Sequence, residues 1–289
     1  MSIKFVPKAS LLMLAALAFA VVFVPAAEAG TVAPGFNTST FPANDDGATG
    51  AIALPFDANF FGTTYSNLYV SNNGYVTFNS GQGTYTPSGL GSGYNGQPII
   101  APFFADVDTR GAGSGLTSYG TGTYAGRSAF GATWPSVGYF SNGTDKLNTF
   151  QLIMVDRSDT GLGNFDFYFN YDQIQWETGG ASGGSHGLGG TSAAAGYNAG
   201  QSGNPAGTYA QLPGSLTNGA LLDGGPNSLV AGTNDGVPGQ FLFQVRNGSV
   251  TPPPVTSVPE PSSLGMLMLG LLGLLGLGAL RRKRHEFQA

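Results

Sequence analysis

The chain has 289 residues, 47 of them glycine, and no cysteine; Asp, Glu, Lys and Arg together make up 9% of it. Without cysteine there are no disulfides, no thiol catalysis and no Cys-ligated metal, so any fold is held by its core alone. Residues 30–257 carry five Lys/Arg against thirteen Asp/Glu, a formal charge of −8, which repels nucleic acid and excludes nucleic-acid binding.

In chain order, Lys4 and Lys8 precede an apolar stretch over 11–24, and Ala27-Glu28-Ala29 is a small-x-small site followed by Gly30. This predicts a secretory signal peptide over 1–29, cleaved after Ala29. A body over 30–248 follows. Its repeat is two residues, and no stretch has a convincing helical period. In Phe165-Asp166-Phe167-Tyr168-Phe169-Asn170-Tyr171 the odd-numbered aromatics share one strand face, with Asp166, Tyr168 and Asn170 on the other. Residues 148–155 read as a more buried strand, and residues 67–78 as a hairpin turning at Asn72-Asn73-Gly74. Further strands are predicted over 99–105, 128–134, 193–197 and 240–246. The segment 179–190 is Gly/Ser-rich with no apolar pattern, which predicts a mobile surface loop.

Residues 249–261 are proline-rich and predict a stiff, extended spacer. Residues 262–280 then run 19 positions without a charge, about 28 Å as a helix, close to the apolar thickness of a bilayer. Arg281-Arg282-Lys283-Arg284 follows, within a basic tail over 281–289 that belongs on the cytoplasmic side. The fold class expected is all-β: an antiparallel β-sandwich ectodomain with long Gly-rich loops, plus one C-terminal transmembrane helix.

The tail resembles the PEP-CTERM sorting signal of Gram-negative bacteria. The likeness rests on Val258-Pro259-Glu260-Pro261, the apolar run and the cluster Arg281, Arg282, Lys283 and Arg284, in that order. The resemblance implies export through the secretion translocon, recognition by a membrane-embedded exosortase-type protease, and association with extracellular polysaccharide or biofilm. It reads the tail as a sorting address at which anchoring can be temporary.

The body carries a second resemblance. Val70-Ser71-Asn72-Asn73-Gly74-Tyr75-Val76-Thr77-Phe78 and Ile100-Ala101-Pro102-Phe103-Phe104-Ala105-Asp106-Val107-Asp108-Thr109-Arg110-Gly111 are similar to two blocks of the nidogen-like (NIDO) extracellular domain. A third block ends in Asn170-Tyr171-Asp172-Gln173-Ile174-Gln175-Trp176-Glu177-Thr178-Gly179, and Ala195-Gly196-Tyr197 and Leu212-Pro213-Gly214-Ser215 continue the order. The resemblance implies a role in cell–matrix adhesion and brings no catalytic residues with it. Animal members sit beside cysteine-rich modules, and this chain has none.

Several residue patterns invite chemistry. Asp106-Val107-Asp108-Thr109-Arg110-Gly111 mimics the start of an EF-hand loop, but Arg110 occupies a ligand position and Thr117 stands where a bidentate Glu belongs. Two readings remain: a strand end whose carboxylates pair with Arg110 or cap a turn, or a calcium site built from Asp106, Asp108 and distant oxygens. No other cofactor is implied. Gly183-Gly184-Ser185-His186-Gly187 matches G-x-S-x-G, but glycines flank it where a strand and a helix are needed. His186 is the sole histidine of the body and is adjacent to the serine, which leaves no separate general base. Asp156, Asp159, Asp166, Asp172 and Glu177 offer carboxylates for glycan hydrolysis, although three of them sit in or beside turns where Asp is expected on conformational grounds. Trp176 and the Tyr168 face offer an aromatic platform for sugars. The expectation is a non-enzymatic, exported adhesion or matrix protein at the cell surface, anchored or released; the alternative is an exported glycan-binding or glycan-hydrolysing enzyme.

Overall fold

The computed structural model describes residues 32–251. Within them the chain is all-β, with only two short 3-10 turns, Ser158–Thr160 and Gly180–Ser182. One sheet has the order β1 (Ser39–Thr40), β7 (Ser118–Tyr124), β8 (Arg127–Tyr139), β9 (Gly143–Asp156), β10 (Phe165–Gln173), β13 (Gln240–Arg246) and β14 (Ser249–Thr251), with β6 (Val107–Asp108) paired to β8. The other has the order β12 (Tyr209–Gln211), β11 (Ala194–Asn198), β5 (Ile99–Phe104), β4 (Tyr75–Thr77), β3 (Thr63–Ser71) and β2 (Ile52–Phe60). Every pair is antiparallel.

Residues of both sheets share one core cluster. The aromatic face predicted for β10 lies in it: Phe165, Phe167, Phe169 and Tyr171 are fully buried. Phe167 stacks on Phe243 of the neighbouring strand at 4.7 Å between centroids, while Phe150 of β9 meets Phe103 of β5 at 5.2 Å across the layers. Burial of so many rings supplies the stability that disulfides give other exported domains, at roughly 25 cal/mol per Å² of apolar surface.

The opposite face of β10 is not a solvent face. Asp166 and Asn170 are as buried as the aromatics, and Tyr168 is half-buried. Asn170 Nδ2 donates to Gln151 Oε1 at 3.1 Å, and Asp166 lies between Arg157 and Arg246. Beside them Phe36 packs on Ala129, Ile153 and Val155 over the middle of the sheet. Gly131 makes that possible, because a Cβ there would collide with the Phe36 ring.

Two further expectations change. The segment 179–190 is a built turn. Thr178 N donates to Gly187 O at 3.0 Å, Thr191 N to Ser182 O at 2.9 Å, and Ser185 and Leu188 form a bridge. Its glycines serve geometry: Gly183, Gly187, Gly189 and Gly190 take positive φ, open to them because they lack Cβ. The first residues of the segment read as a spacer, Ser249–Thr251, are β14 and pair with Gln244–Arg246. Among the described residues no helix is long and apolar enough to cross a membrane. The apolar helix expected over 262–280 lies outside the described residues, as do the signal peptide with Ala27, Ala29 and Gly30, the Pro-Glu-Pro triplet and the basic tail.

Candidate functional site

Two of the motif blocks, 70–78 and 100–111, meet at the β3–β4 turn. The β3–β4 turn presents Asn72 and Asn73, both fully buried. Asn72 Nδ2 lies 2.8 Å from Val107 O and from Asp45 O, and Asn73 Oδ1 accepts from Val107 N at 2.9 Å. Trp134 Nε1 donates to Asn72 O at 3.0 Å. The two side-chain amides thus clamp the β5–β6 connection to the loop between β1 and β2. Satisfying backbone groups in that way is what a buried irregular segment requires. Thr109 completes the clamp, accepting from Asn44 N at 3.0 Å and donating to Asn44 O at 2.9 Å.

This folding brings Asp45, Asp46 and Asp106 together, with one carboxylate oxygen from each within 4.8 Å of the others. Asp108 separates from them. It takes Arg110 Nε at 2.9 Å on Oδ1 and the Arg110 guanidinium at 2.8 Å on Oδ2, and Oδ2 also accepts from Asn142 N at 3.0 Å. Burial alone would raise the Asp108 carboxyl, but these donors hold it below the usual range. The reading of Asp108 as a strand-end carboxylate paired with Arg110 is therefore what the structure has. A calcium site sharing Asp106 and Asp108 is not: Asp106 faces Asp45 and Asp46 instead.

The cluster is short of positive charge. Burial pushes Asp106 up to about 7, with Asp45 and Asp46 adding to the shift against the amides of Ser182 and Ala181. Burial likewise pushes Asp45 up to about 6, helped by Asp46 and Asp108 and opposed by Arg110. Asp106 is 2% exposed, and its Oδ2 has no hydrogen-bond partner; Asp45 Oδ1 is also buried without one. Sequence reasoning missed Asp45 and Asp46. They lie in Asn44-Asp45-Asp46-Gly47, which has the composition of an ordinary turn, and Gly47 N closes that turn on Asn44 Oδ1 at 2.9 Å.

The other singled-out residues are engaged elsewhere. Trp176 is fully buried, with Nε1 donating to Val137 O at 3.0 Å, so it offers no face to a sugar. Glu177 is buried and accepts from Gly219 N at 2.5 Å and Leu221 N at 2.6 Å. Asp156 accepts from Ser158, Asp159 pairs with Arg127 and Arg157, and Asp172 is exposed. Ser185 and His186 sit in the 179–190 turn, with neither a strand before them nor a helix after. Tyr168 stands beside Tyr124 on the outer sheet face at 5.0 Å between centroids.

The nidogen-like domain model matches residues 66–247, most of the described chain. The chain belongs to the nidogen-like domain family. A PEP-CTERM protein-sorting motif matches residues 257–283. Over 239 residues the chain is 34% identical to mouse (Mus musculus) and to human (Homo sapiens) alpha-tectorin, covering 75% of itself and 10% of each relative. It is 29% identical over 222 residues to Drosophila melanogaster nidogen, covering 69% of itself and 15% of that protein. The chain therefore spans about a tenth of the length of the tectorins that it matches. No solved structure matches. Within the nidogen-like domain, the blocks on which the resemblance rests are largely structural: Asn72, Asn73, Trp176 and Glu177 fasten backbone, and Asp106 is the exception.

Proposed function

We propose that this is a surface-directed adhesion or matrix module: a signal peptide over 1–29 exports it, and an exosortase-type protease reads the tail. The observation that carries this is the order of the matches, a sorting motif beginning at 257 behind a nidogen-like domain that ends at 247. In this reading Val258, Pro259, Glu260 and Pro261 with Arg281, Arg282, Lys283 and Arg284 form the address, and residues 262–280 cross the membrane until processing. The domain does its work outside the cytoplasm, on extracellular polysaccharide or matrix, and its relatives by name are tectorins and nidogens. The half-buried pair Tyr124 and Tyr168, with Gln240 Nε2 donating to the Tyr124 hydroxyl at 3.2 Å, supports a polysaccharide partner, since sugar rings stack on aromatic faces.

The test is the intact mass of the protein recovered from the cell surface, followed by binding of that material to the producing cells' own polysaccharide. The reading expects loss of residues 1–29, processing at the 249–283 end, and binding that weakens in Tyr168→Ala. Protein retained in the cytoplasm at full mass would overturn the export reading. Processed surface protein that leaves the polysaccharide untouched would overturn the matrix reading alone.

A further inference from the structure

We propose that Asp45, Asp46 and Asp106 form a calcium site that fastens the loop between β1 and β2 to the β5–β6 connection. The inference stands apart from the adhesive reading and from the aromatic pair.

Three observations carry it. The first is Asp106: it is 2% exposed, its Oδ2 has no hydrogen-bond partner, and one of its carboxylate oxygens lies within 4.8 Å of an oxygen of Asp45 and of Asp46. A carboxylate oxygen enclosed without a donor is costly unless something positive meets it. Asp45 Oδ1 is a second such oxygen, buried and unpartnered in the same cluster. The second is spacing. Oxygens that share a calcium ion lie 2.3–2.6 Å from it, so two ligands on opposite sides stand up to about 5 Å apart. The cluster's separations, within 4.8 Å, fit around one such ion. The third is charge. Arg110 pairs with Asp108, through both of its oxygens, and with Asp45, and among the described residues no basic side chain pairs with Asp46 or Asp106.

The remaining oxygens are held as a ligand set would be. Arg110 donates to Asp45 Oδ2 at 2.9 Å, and Asn73 Nδ2 donates to Asp46 Oδ1 at 3.0 Å. Each of these carboxylates is thereby oriented by one oxygen and has the other to offer. Gly179 lies so close to Asp106 that a Cβ there would collide with the carboxylate, so the wall of the site admits no larger residue. All donors are oxygens, which selects a hard cation such as calcium over zinc or copper.

The experiment uses the full chain in mild detergent, stripped with chelator and then returned to calcium chloride, magnesium chloride or buffer at pH 7.5. Calcium at a hundredfold excess over its Kd should raise Tm by roughly 5–10 °C. Proteolysis within residues 41–49 should slow at the same time. Asp106→Asn and Asp46→Asn should abolish both effects, and Asp223→Asn, outside the cluster, should keep them. In chelator Asp106→Asn should melt no lower than the parent chain, because it removes an unpaired carboxylate. Should Asp106→Asn fail to fold, Asp46→Asn, at an exposed position, carries the same comparison. Equal Tm in calcium and chelator for the parent chain would overturn the site. A calcium shift that survives both substitutions would overturn these ligands, and an equal response to magnesium would overturn the choice of ion.

Discussion

Tyr171 of β10 donates its hydroxyl to Pro102 O of β5 at 2.6 Å, a hydrogen bond that crosses from one sheet to the other through the buried core. Pro102 has no N–H, and a proline inside a paired strand is tolerated where the ladder is interrupted. That is its setting here: the β5–β11 register shifts between Ala194 and Gly196, opposite Pro102. Burial drives the Tyr171 phenol well above its ordinary pKa, so it remains a donor.

Tyr171→Phe should therefore destabilise the domain by about 1–3 kcal/mol, because it leaves a buried carbonyl without its donor while keeping the ring. Urea unfolding should show a lower midpoint with an unchanged slope. An unchanged midpoint would mean that the carbonyl finds another partner.

Gly74 closes the β3–β4 turn at φ 80°, and a Cβ there would overlap Phe103 O. Gly74→Ala combines left-handed backbone with a collision against main chain that cannot move away, and should cost roughly 3 kcal/mol or more. Soluble yield and thermal unfolding will show it. The cluster of Asp45, Asp46 and Asp106 should be disturbed along with it, since Asn72 and Asn73 ride on this turn.

Asp166 lies 2.6 Å from Arg157 and 2.7 Å from Arg246, with its own side chain 2% exposed and theirs 23% and 22%. Asp166→Asn removes the charge that both guanidinium groups share and should cost about 1–3 kcal/mol, less than a fully enclosed pair because water reaches the arginines. A double-mutant cycle with Arg246→Met should return a coupling of either half or more of that loss. A coupling near zero would show that the contact is ornamental.

Glu177 gives a pH signature. Burial raises its carboxyl above the ordinary value of 4.5, outweighing the amides of Leu221 and Gly219 that favour the ionised form. The unfolded chain then ionises more readily than the folded one. The contribution of this residue is complete below pH 4.5 and is lost as pH rises through the folded pKa. The Tm of Glu177→Gln relative to the parent chain should climb between pH 4 and pH 7. A relative Tm that falls instead would show that the amides dominate and that the shift has the opposite sign.

Much of the fold was legible where apolar residues alternate. Phe165, Phe167, Phe169 and Tyr171 of β10 and Phe241, Phe243 and Val245 of β13 occupy every second position, while β5 and residues 150–155 of β9 are apolar-rich runs buried throughout. β7, Ser-Tyr-Gly-Thr-Gly-Thr-Tyr, has no such face and is a strand through pairing with β8. β2 was hidden by Pro55 and Asp57, which an edge strand with a register shift accommodates. The acidic site was half visible. Asp106 sits in a motif that drew attention, but its partners lie about sixty positions earlier, and the clamp of Asn72, Asn73 and Thr109 brings them near. Nor could periodicity foresee that Asp166 and Asn170 are enclosed, because the cover over that face comes from residues distant in sequence.

The place where the chain leaves the domain has a mechanical consequence. β14 is a three-residue edge strand held to β13 through Gln244–Arg246, and Thr251 is the last position of that ladder. A pull on a tethered tail would load Thr251 first and open the ladder one rung at a time, as a zipper opens, rather than shearing all the rungs together. Behind it, β13 is held to β10 by six paired positions and by stacked rings. β14 would thus yield at low force and lengthen the leash by a few residues before the core bears any tension.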